Sequence, residues 1–314
     1  MTSIRLPGRL ALIALAVTVA VSGCGSSSSS SGSASSASAA QPGKGKPAVT
    51  IGDKNFTEEM ILGELYAQAL RAKGYTVNLK PNIGSTELIY KALQSGQIDL
   101  YPEYTGVIVT IIAQKPNLPA TAQATYQEAK SYLAGKGFGL LDATPFSDRE
   151  TLNTTLAFAQ QHHVAAIGDL KPLGASVTYG APPELKIRHE GLLGLRQVYG
   201  LTQMQFAALN HGLIVPSLDG GKIQVGDVLS TDGVLLSNKY VTLNDPKNLF
   251  GFQNAAPIVN AKLLRQEGPA FASIINAVSA NLTTKAMQQL NAAVDIQKVD
   301  PQTVAAKFLK ANGF

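Results

Sequence analysis

The residues whose chemistry could serve a small solute lie beside the ends of predicted strands. Lys54 follows a short apolar strand, and Tyr104 lies just beyond another. Ser85 and Thr86 begin the helix predicted between them. An ammonium group, two hydroxyls and a phenol can hold charged or polar ligand groups. Because ligands of parallel sheets bind beyond the carboxyl ends of strands and at helix N-termini, these four residues predict a ligand site.

Sequence patterns of the common enzyme classes are missing from the chain. No GxxxxGK[ST], GxSxG or HExxH occurs. Asp99 and Glu103 are a candidate carboxylate pair, but no nucleophile accompanies them, so a hydrolytic role is disfavoured. The four histidines lack metal-ligand spacing: His162, His163, His189 and His211. The residues favour a non-enzymatic binding protein without metal or cofactor, and a surface hydrolase and a ligand sensor are the alternatives.

Strands and helices alternate over 49–104, and they must position the four residues. This β-α-β-α-β order predicts a parallel sheet with helices on its faces. Thr57 or Asn55 is expected to cap the first helix. Glu58 and Glu59 lie in its first turn, where acidic side chains complement the helix dipole.

A second region, over 171–229, repeats the alternation of helix and strand. Its segment 218–231 matches 93–106 at a few positions, with chance similarity as the alternative. If the match is real, the chain has two similar lobes that face a shared cleft. Tyr104 and Leu229 then occupy equivalent positions across that cleft.

The N-terminal residues predict export and anchoring. Arg5 and Arg9 precede an apolar run over 10–21, which is too short to span a membrane and is typical of a secretory signal peptide. The run ends in Val-Ser-Gly-Cys, which resembles a bacterial lipobox. We therefore expect residues 1–23 to be removed and Cys24 to carry the lipid, and a secreted protein with a free thiol is the alternative.

Composition limits the class of protein. Residues 24–47 are rich in Ser, Gly and Ala and predict a flexible tether. Of the 314 residues, 45% are hydrophobic and 15% charged, which is enough apolar surface for a sizeable core. The net charge of +5 is spread without a basic run, so nucleic acid is not expected as a partner. The single cysteine excludes an internal disulfide.

Three stretches, 51–58, 61–65 and 93–106, resemble the substrate-binding proteins of osmoprotectant ABC importers of the glycine betaine, choline and carnitine type. The later motifs of this resemblance follow in order at 198–201, 230–233, 256–259, 282–284 and 290–291. It implies an α/β fold of periplasmic-binding-protein type II, with two lobes, a ligand cleft and a two-strand hinge. The first lobe would comprise 48–146 with 251–314, and the second 147–250.

The resemblance also implies a function and part of a site. The protein would be a monomeric receptor on the outer face of the cell membrane that delivers its solute to a permease and its ATPase. In the family, tyrosines surround a trimethylammonium group, while Lys, Arg and Thr hold a carboxylate. Tyr104 matches one of the tyrosines, Lys54 a carboxylate-side position, and Arg188 the arginine of the second lobe.

Three residues depart from that pattern. Leu229, Gln253 and Leu156 stand where relatives have tyrosines, which predicts weak binding of glycine betaine or choline. The hinge offers polar side chains instead, which suit a ligand with hydroxyls or amides. The predicted ligand-binding set is Lys54, Ser85, Thr86, Tyr104, Asp148, Arg188, Leu229, Ser230, Gln253 and Asn254.

Overall fold

The computed structural model describes residues 41–115 and 117–314. The predicted signal peptide, Cys24 and most of the predicted tether lie outside these residues. Within the described ranges, no helix is both long and apolar enough to cross a membrane.

The end of the predicted tether packs on the folded part of the chain. Gly43 is buried, and its amide donates a hydrogen bond to the Lys73 carbonyl at 3.0 Å. The Lys46 ammonium donates to the Gln266 carbonyl at 2.7 Å. The tether prediction to residue 47 is therefore too long, because residues 41–47 have fixed backbone partners.

Two five-stranded sheets of the same strand order form the core of the structure. The strands are β1 (Val49–Gly52), β2 (Val77–Lys80), β3 (Leu100–Tyr104), β4 (Phe138–Leu140), β5 (Leu152–Thr155), β6 (Thr178–Ala181), β7 (Gln205–Ala208), β8 (Val225–Asp227), β9 (Tyr240–Thr242) and β10 (Ala255–Asn260). The first sheet has the order β2-β1-β3-β10-β4 and the second β7-β6-β8-β5-β9. In each sheet the first three strands are parallel and the fourth is antiparallel to the third. We call the two sheets with their helices the first and second lobes.

Helices cover both sheets. They are α1 (Thr57–Ala72), α2 (Thr86–Gln94), α3 (Thr105–Val107), α4 (Ala122–Ala134), α5 (Leu156–His162), α6 (Leu192–Tyr199), α7 (His211–Asp219), α8 (Ala261–Glu267), α9 (Pro269–Ala280), α10 (Thr284–Asp295) and α11 (Pro301–Ala311). A π-helical turn over 108–112 continues α3, and 3-10 helices occupy 167–176, 183–186 and 233–236. The α/β fold predicted from the sequence is confirmed, including the repeated order of α2-β3 and α7-β8.

The first turn of α1 differs from the prediction. Phe56 is the N-cap residue, without a side-chain cap, and the Thr57 hydroxyl donates instead to Asp295 Oδ1 at 2.6 Å. Glu58 and Glu59 lie in the first turn as predicted, and they are buried at 3% and 0% exposure. The helix therefore turns two carboxylates into the protein, which places them at the site described below.

The chain crosses between the lobes in two adjacent segments, 141–151 and 243–254. Ser147 and Asn254 pair across them in an antiparallel bridge. The Asp148 amide donates to the Gln253 carbonyl at 2.9 Å, and the Gln253 amide donates to Ser147 Oγ at 2.9 Å. The two crossings thus form the two-strand hinge implied by the sequence.

A third contact joins the lobes beside this hinge. The 3-10 helix over 233–236, which follows β8, packs against α10 of the first lobe. Gly233 faces Ala292 so closely that an added Cβ would lie 2.6 Å from the Ala292 Cα and Cβ atoms. This close approach holds the segment after β8 next to the buried acids of α1.

Candidate functional site

An ion pair between Lys54 and Glu103 joins the ends of β1 and β3. Lys54 Nζ lies 2.5 Å from Glu103 Oε1 and 3.7 Å from Glu59 Oε1. Lys54 is 5% exposed, and both glutamates are fully buried. Burial lowers the pKa of Lys54, but the nearby carboxylates of Glu103 and Glu59 raise it more. The lysine therefore stays charged in the interior.

The second oxygen of Glu103 also has hydrogen-bond donors. The Thr86 hydroxyl donates to Glu103 Oε2 at 3.2 Å, and the Tyr101 hydroxyl lies 3.4 Å from the same atom. Thr86 starts α2, so the carboxylate links two strand ends and a helix N-terminus. Ser85, the adjacent predicted site residue, donates to Glu87 Oε2 at 2.6 Å at the surface.

Tyr104 is enclosed by the first lobe. Lys54 Nζ lies 4.6 Å from the centre of its ring, a cation–π geometry, and the Phe56 ring stacks at 6.2 Å. Its hydroxyl donates to Glu58 Oε1 at 2.7 Å. The predicted ligand-facing tyrosine thus already contacts a cation of its own chain and is 4% exposed.

A chain of hydrogen bonds leads from Tyr104 into the second lobe. Asn291 Nδ2 donates to Glu58 Oε2 and to the Thr231 carbonyl, both at 3.0 Å. The Thr231 hydroxyl donates to Asp148 Oδ1 at 2.7 Å. Burial and the negative charge of Asp148 raise the pKa of Glu58 well above its ordinary value. The two lobes therefore share a buried network of carboxylates.

The polar residues of the hinge hold backbone groups. Ser230 Oγ accepts from the Arg149 amide at 3.0 Å and donates to the Ser147 carbonyl at 2.6 Å. Gln253 Oε1 accepts from the Val107 amide at 3.0 Å. Asn254 Nδ2 donates to the carbonyls of the first crossing, those of Thr144 and Phe146, at 3.0 Å each. These contacts fix the hinge.

The remaining predicted residues lie at the rim. Arg188 is exposed, and its charge lies near Glu87 of the first lobe and Glu150 of the second, where it acts to lower the pKa of each. Leu229 is half-buried, with its amide donating to Asp232 Oδ2 at 3.1 Å. Leu156, another predicted departure, is 38% exposed.

The charge of Asp148 acts on two carboxyl groups of the second lobe, those of Asp227 and Asp232. Neither was predicted from the sequence as a site residue. Burial raises the pKa of Asp148 to about 6 and that of Asp232 to about 7. Burial and the neighbouring acid also raise the pKa of Asp227 well above its ordinary value. A sequence signal was available, because Asp227 ends an apolar strand whose alternation turns it toward the core.

Carboxyl groups outnumber cationic side chains at the site. In the described ranges, Lys54 is the one buried lysine or arginine. The buried carboxyl groups at and beside the site are more numerous: Asp53, Glu58, Glu59, Glu103 and Asp227. A buried charge is costly unless an opposite charge accompanies it, so this arrangement favours a positively charged ligand group.

Two lobes joined by a hinge, with polar groups between them, are typical of solute-binding proteins. The chain belongs to the family described as the substrate-binding domain of ABC-type glycine betaine transport systems, whose model matches residues 47–311. It is therefore a substrate-binding component of an ABC importer, and the members of this family are extracytoplasmic transport components rather than enzymes.

Individual relatives agree with this placement. The glycine-betaine-binding protein of Pseudomonas aeruginosa is 33% identical over 271 residues, which cover 83% of this chain and 86% of that protein. The glycine betaine-binding protein YehZ of Escherichia coli is 28% identical over 286 residues, covering 87% of this chain and 93% of YehZ.

Solved structures share the fold. The structure of apo YehZ matches with a TM-score of 0.72 at 27% identity, covering 84% of this chain and 98% of that one. A glycine betaine/carnitine/choline ABC transporter structure matches with a TM-score of 0.78 at 22% identity, again over 84% of this chain and 98% of the other.

Proposed function

We propose that the solute of this receptor is a small organic cation or zwitterion of glycine betaine size, bound between the lobes. One observation carries the proposal: buried carboxylates of both lobes converge on the hinge, and Lys54 is the one buried cation among the described residues. A positive ligand group supplies the missing charge. The similarity to two glycine betaine-binding proteins supports the ligand class.

The site comprises groups from both lobes. Lys54, Thr86 and Tyr104 contribute from the first lobe, together with Ser85 at the rim. Asp148 and Ser230 contribute from the hinge and the second lobe, with Gln253 and Asn254 holding the crossing strands. Arg188 at the rim of the second lobe meets the anionic end of a zwitterion, and Leu229 supplies an apolar wall. Ligand contacts to both lobes favour the closed state.

Betaine itself should bind weakly. Leu229, Leu156 and Gln253 stand at aromatic positions of the family, and the Tyr104 ring is covered by Lys54 and Phe56. We expect a Kd of about 0.1 mM or weaker for glycine betaine and choline, a free energy near −5 kcal/mol. Another member of the same ligand class is then the natural solute.

The lobes are proposed to comprise 48–146 with 251–314, and 147–250, and the receptor to act as a monomer. Cys24 carries a lipid that holds it at the outer face of the membrane, beside its permease and ATPase. Two acyl chains are enough for stable anchoring. Cys24→Ala should therefore lose detergent-phase partitioning, and unchanged partitioning would exclude the anchor.

The ligand proposal is tested on the purified protein. Mass spectrometry of solutes that co-purify should find a small organic cation or zwitterion, and adding it back should raise Tm without chemical change. Calorimetric titration of glycine betaine and choline gives the affinities. Turnover of the solute would favour the alternative, a surface hydrolase, and an anion or neutral sugar as the bound solute would overturn the proposal.

A further inference from the structure

Two polar side chains of the second lobe project from one face of its sheet, and a third precedes the neighbouring strand β5. Asp227 of β8 pairs with Leu152 of β5, so both point to the same side. Tyr179 of β6 pairs with Val225, two residues before Asp227, and therefore shares that face. Glu150 lies two residues before Leu152, next to the hinge.

Polar atoms of these three side chains are buried without hydrogen-bond partners among the described residues. Asp227 is 1% exposed and Tyr179 0%. Among the described residues, nothing donates to either Asp227 oxygen or to Glu150 Oε2, and the Tyr179 hydroxyl has no hydrogen-bond partner. Buried polar groups in folded proteins almost always have a partner. We call Glu150, Tyr179 and Asp227 the acid–tyrosine cluster.

Two carboxylates accept hydrogen bonds but do not donate, so the ionised acids cannot serve as partners for each other. Burial and the charge of Asp148 raise the pKa of Glu150. Burial and the charge of Glu150 raise the pKa of Asp227 well above its ordinary value. The pair therefore holds one proton where a cation would otherwise neutralise it.

The surroundings of the cluster are charged on every side. Asp148 of the hinge, Asp232 after β8 and Glu190 before α6 add negative charge near the pair. Arg188 is the cation that acts on Glu150, and it is exposed at the rim. Glu150 is two residues from Asp148 in the chain. Asp148 accepts from Thr231 in the hydrogen-bond network that reaches Glu58 of the first lobe, so the cluster adjoins the cleft.

The Tyr179 ring is not available as an aromatic wall. It meets Phe206 edge-on, with ring centres 5.8 Å apart and planes at 72°. The hydroxyl end lies near Asp227, Glu150 and Glu190, whose negative charges act on it. The cluster therefore offers oxygen atoms rather than aromatic faces, and oxygen acceptors select N–H donors over N-methyl groups.

We propose that the acid–tyrosine cluster is a second subsite of the cleft and binds an organic cation that bears N–H donors, of the guanidinium class. The inference rests on the proposed function and specifies the head group of its ligand. The guanidinium N–H groups donate to Glu150 and Asp227, and the Tyr179 hydroxyl completes the set. The proton shared by the acids leaves to solvent, so the two carboxylates become ionised around one bound cation.

A divalent metal fits this place less well. The described residues contain no group of three or more His, Cys, Asp or Glu side chains arranged to hold a metal ion. A planar guanidinium matches two carboxylates through parallel N–H···O bonds. The chemistry of the donors therefore favours the organic cation.

Calorimetry with two probes of similar size tests the inference. Guanidinoacetate and glycine betaine both place a carboxylate one methylene from the cationic nitrogen. We expect guanidinoacetate to bind at least tenfold more tightly than betaine. Titrations in phosphate and Tris buffers should show about one proton released per guanidinoacetate bound.

Variants identify the subsite. D227N and E150Q should each reduce the preference for guanidinoacetate over betaine from at least tenfold to near unity and abolish the proton release. Tyr179→Phe, which keeps the ring and its Phe206 contact, should reduce guanidinoacetate affinity about threefold to tenfold. Asp219→Asn, at an exposed acid of the same lobe, is the control and should change neither quantity. Circular dichroism confirms that each variant is folded.

The outcomes separate the inference from the function on which it rests. Betaine binding without guanidinoacetate binding overturns the inference and leaves the receptor function in place. Guanidinoacetate binding that D227N, E150Q and Y179F leave unchanged also overturns it, because the cation then binds elsewhere. Tighter binding of Mg²⁺ or Ca²⁺ than of guanidinoacetate, lost in D227N, would replace the organic cation by a metal.

Discussion

The two lobes have the same strand order but differ in the partners that they provide for their buried acids. In the first lobe, Glu103 contacts Lys54 and Thr86, and Glu58 accepts from Tyr104 and Asn291. In the second lobe, the acid–tyrosine cluster has no cation within it, and four of its oxygen atoms have no hydrogen-bond partner in the described part of the chain. The first lobe thus supplies partners for Glu58 and Glu103 from its own chain, whereas the acids of the cluster gain partners from a ligand. A ligand that donates to these acids favours the closed state.

The substitution with the largest expected effect removes the buried cation of the first lobe. Lys54→Met leaves Glu103 and Glu59 buried without a counter-charge, and we expect a loss of about 3–5 kcal/mol in the free energy of unfolding, measured with urea. Lys115→Met breaks an exposed pair with Glu128, whose side chains are 49% and 28% exposed, and should cost less than about 1 kcal/mol. Equal losses in both variants would show that the first lobe does not depend on Lys54.

The contact between the lobes is the next test. Gly233→Ala places a Cβ 2.6 Å from Ala292, so α10 and the segment after β8 must separate. Overpacking of this kind should cost about 2 kcal/mol of unfolding free energy. Gly212 of α7 has no atom within 4 Å of an added Cβ, so Gly212→Ala should be neutral or slightly stabilising. A neutral Gly233→Ala would mean that the lobes adapt to each other without strain.

The comparison also predicts a pH dependence. The pKa of Asp148 is raised to about 6 and that of Asp232 to about 7, so the folded state holds protons that the unfolded state releases. The free energy of unfolding should therefore fall as pH rises from about 4 to 7, by roughly 1–2 kcal/mol between pH 5 and 7 after allowance for partial exposure. Ligand-free Tm against pH measures it.

Asp148→Asn removes one of these groups and should flatten the profile, whereas Asp219→Asn should not. Stability that rises with pH over the same interval would contradict the raised pKa values. Binding of a cation should follow the opposite course and strengthen as the carboxylates ionise.

The substitution with the smallest expected effect restores an aromatic residue to the second lobe. Leu229→Tyr gives the second lobe a ring beside the hinge and should tighten glycine betaine about threefold to tenfold by calorimetry. Leu213→Tyr, on the exposed side of α7, should not. Gln253 is a poor position for the same change, because its side chain already packs against Gly106 and accepts from Val107. Micromolar betaine binding by the unmodified protein would show that the lost tyrosines matter little.

Much of the fold could be read from the sequence. The four-residue spacing of Ile61, Leu65 and Ala69 predicts the buried face of α1, and all three are buried. The alternation of short apolar strands with helices predicts parallel sheets, and motif order identifies the family. These signals are local or cumulative along the chain, which is why a sequence displays them.

The site was less predictable because its contacts are long-range. Lys54 and Glu103 are 49 residues apart, and Glu58 and Asn291 are 233 apart. The sequence places Glu58 in the first turn of α1, and only the packing of α10 shows why it is buried. Lys54 and Tyr104 were both identified as ligand groups, yet nothing in their spacing indicates that one covers the ring of the other.

The strand order has a consequence for how the chain acquires its shape. The second sheet is built from one continuous stretch, 152–242, whereas the first needs β10 inserted between β3 and β4. During synthesis or refolding, the second lobe can therefore form while the first still lacks its central antiparallel strand. Long-range strand pairing is slow to form because its loop must close first. The arrival of residues 255–260 then completes the first sheet and aligns the second crossing of the hinge.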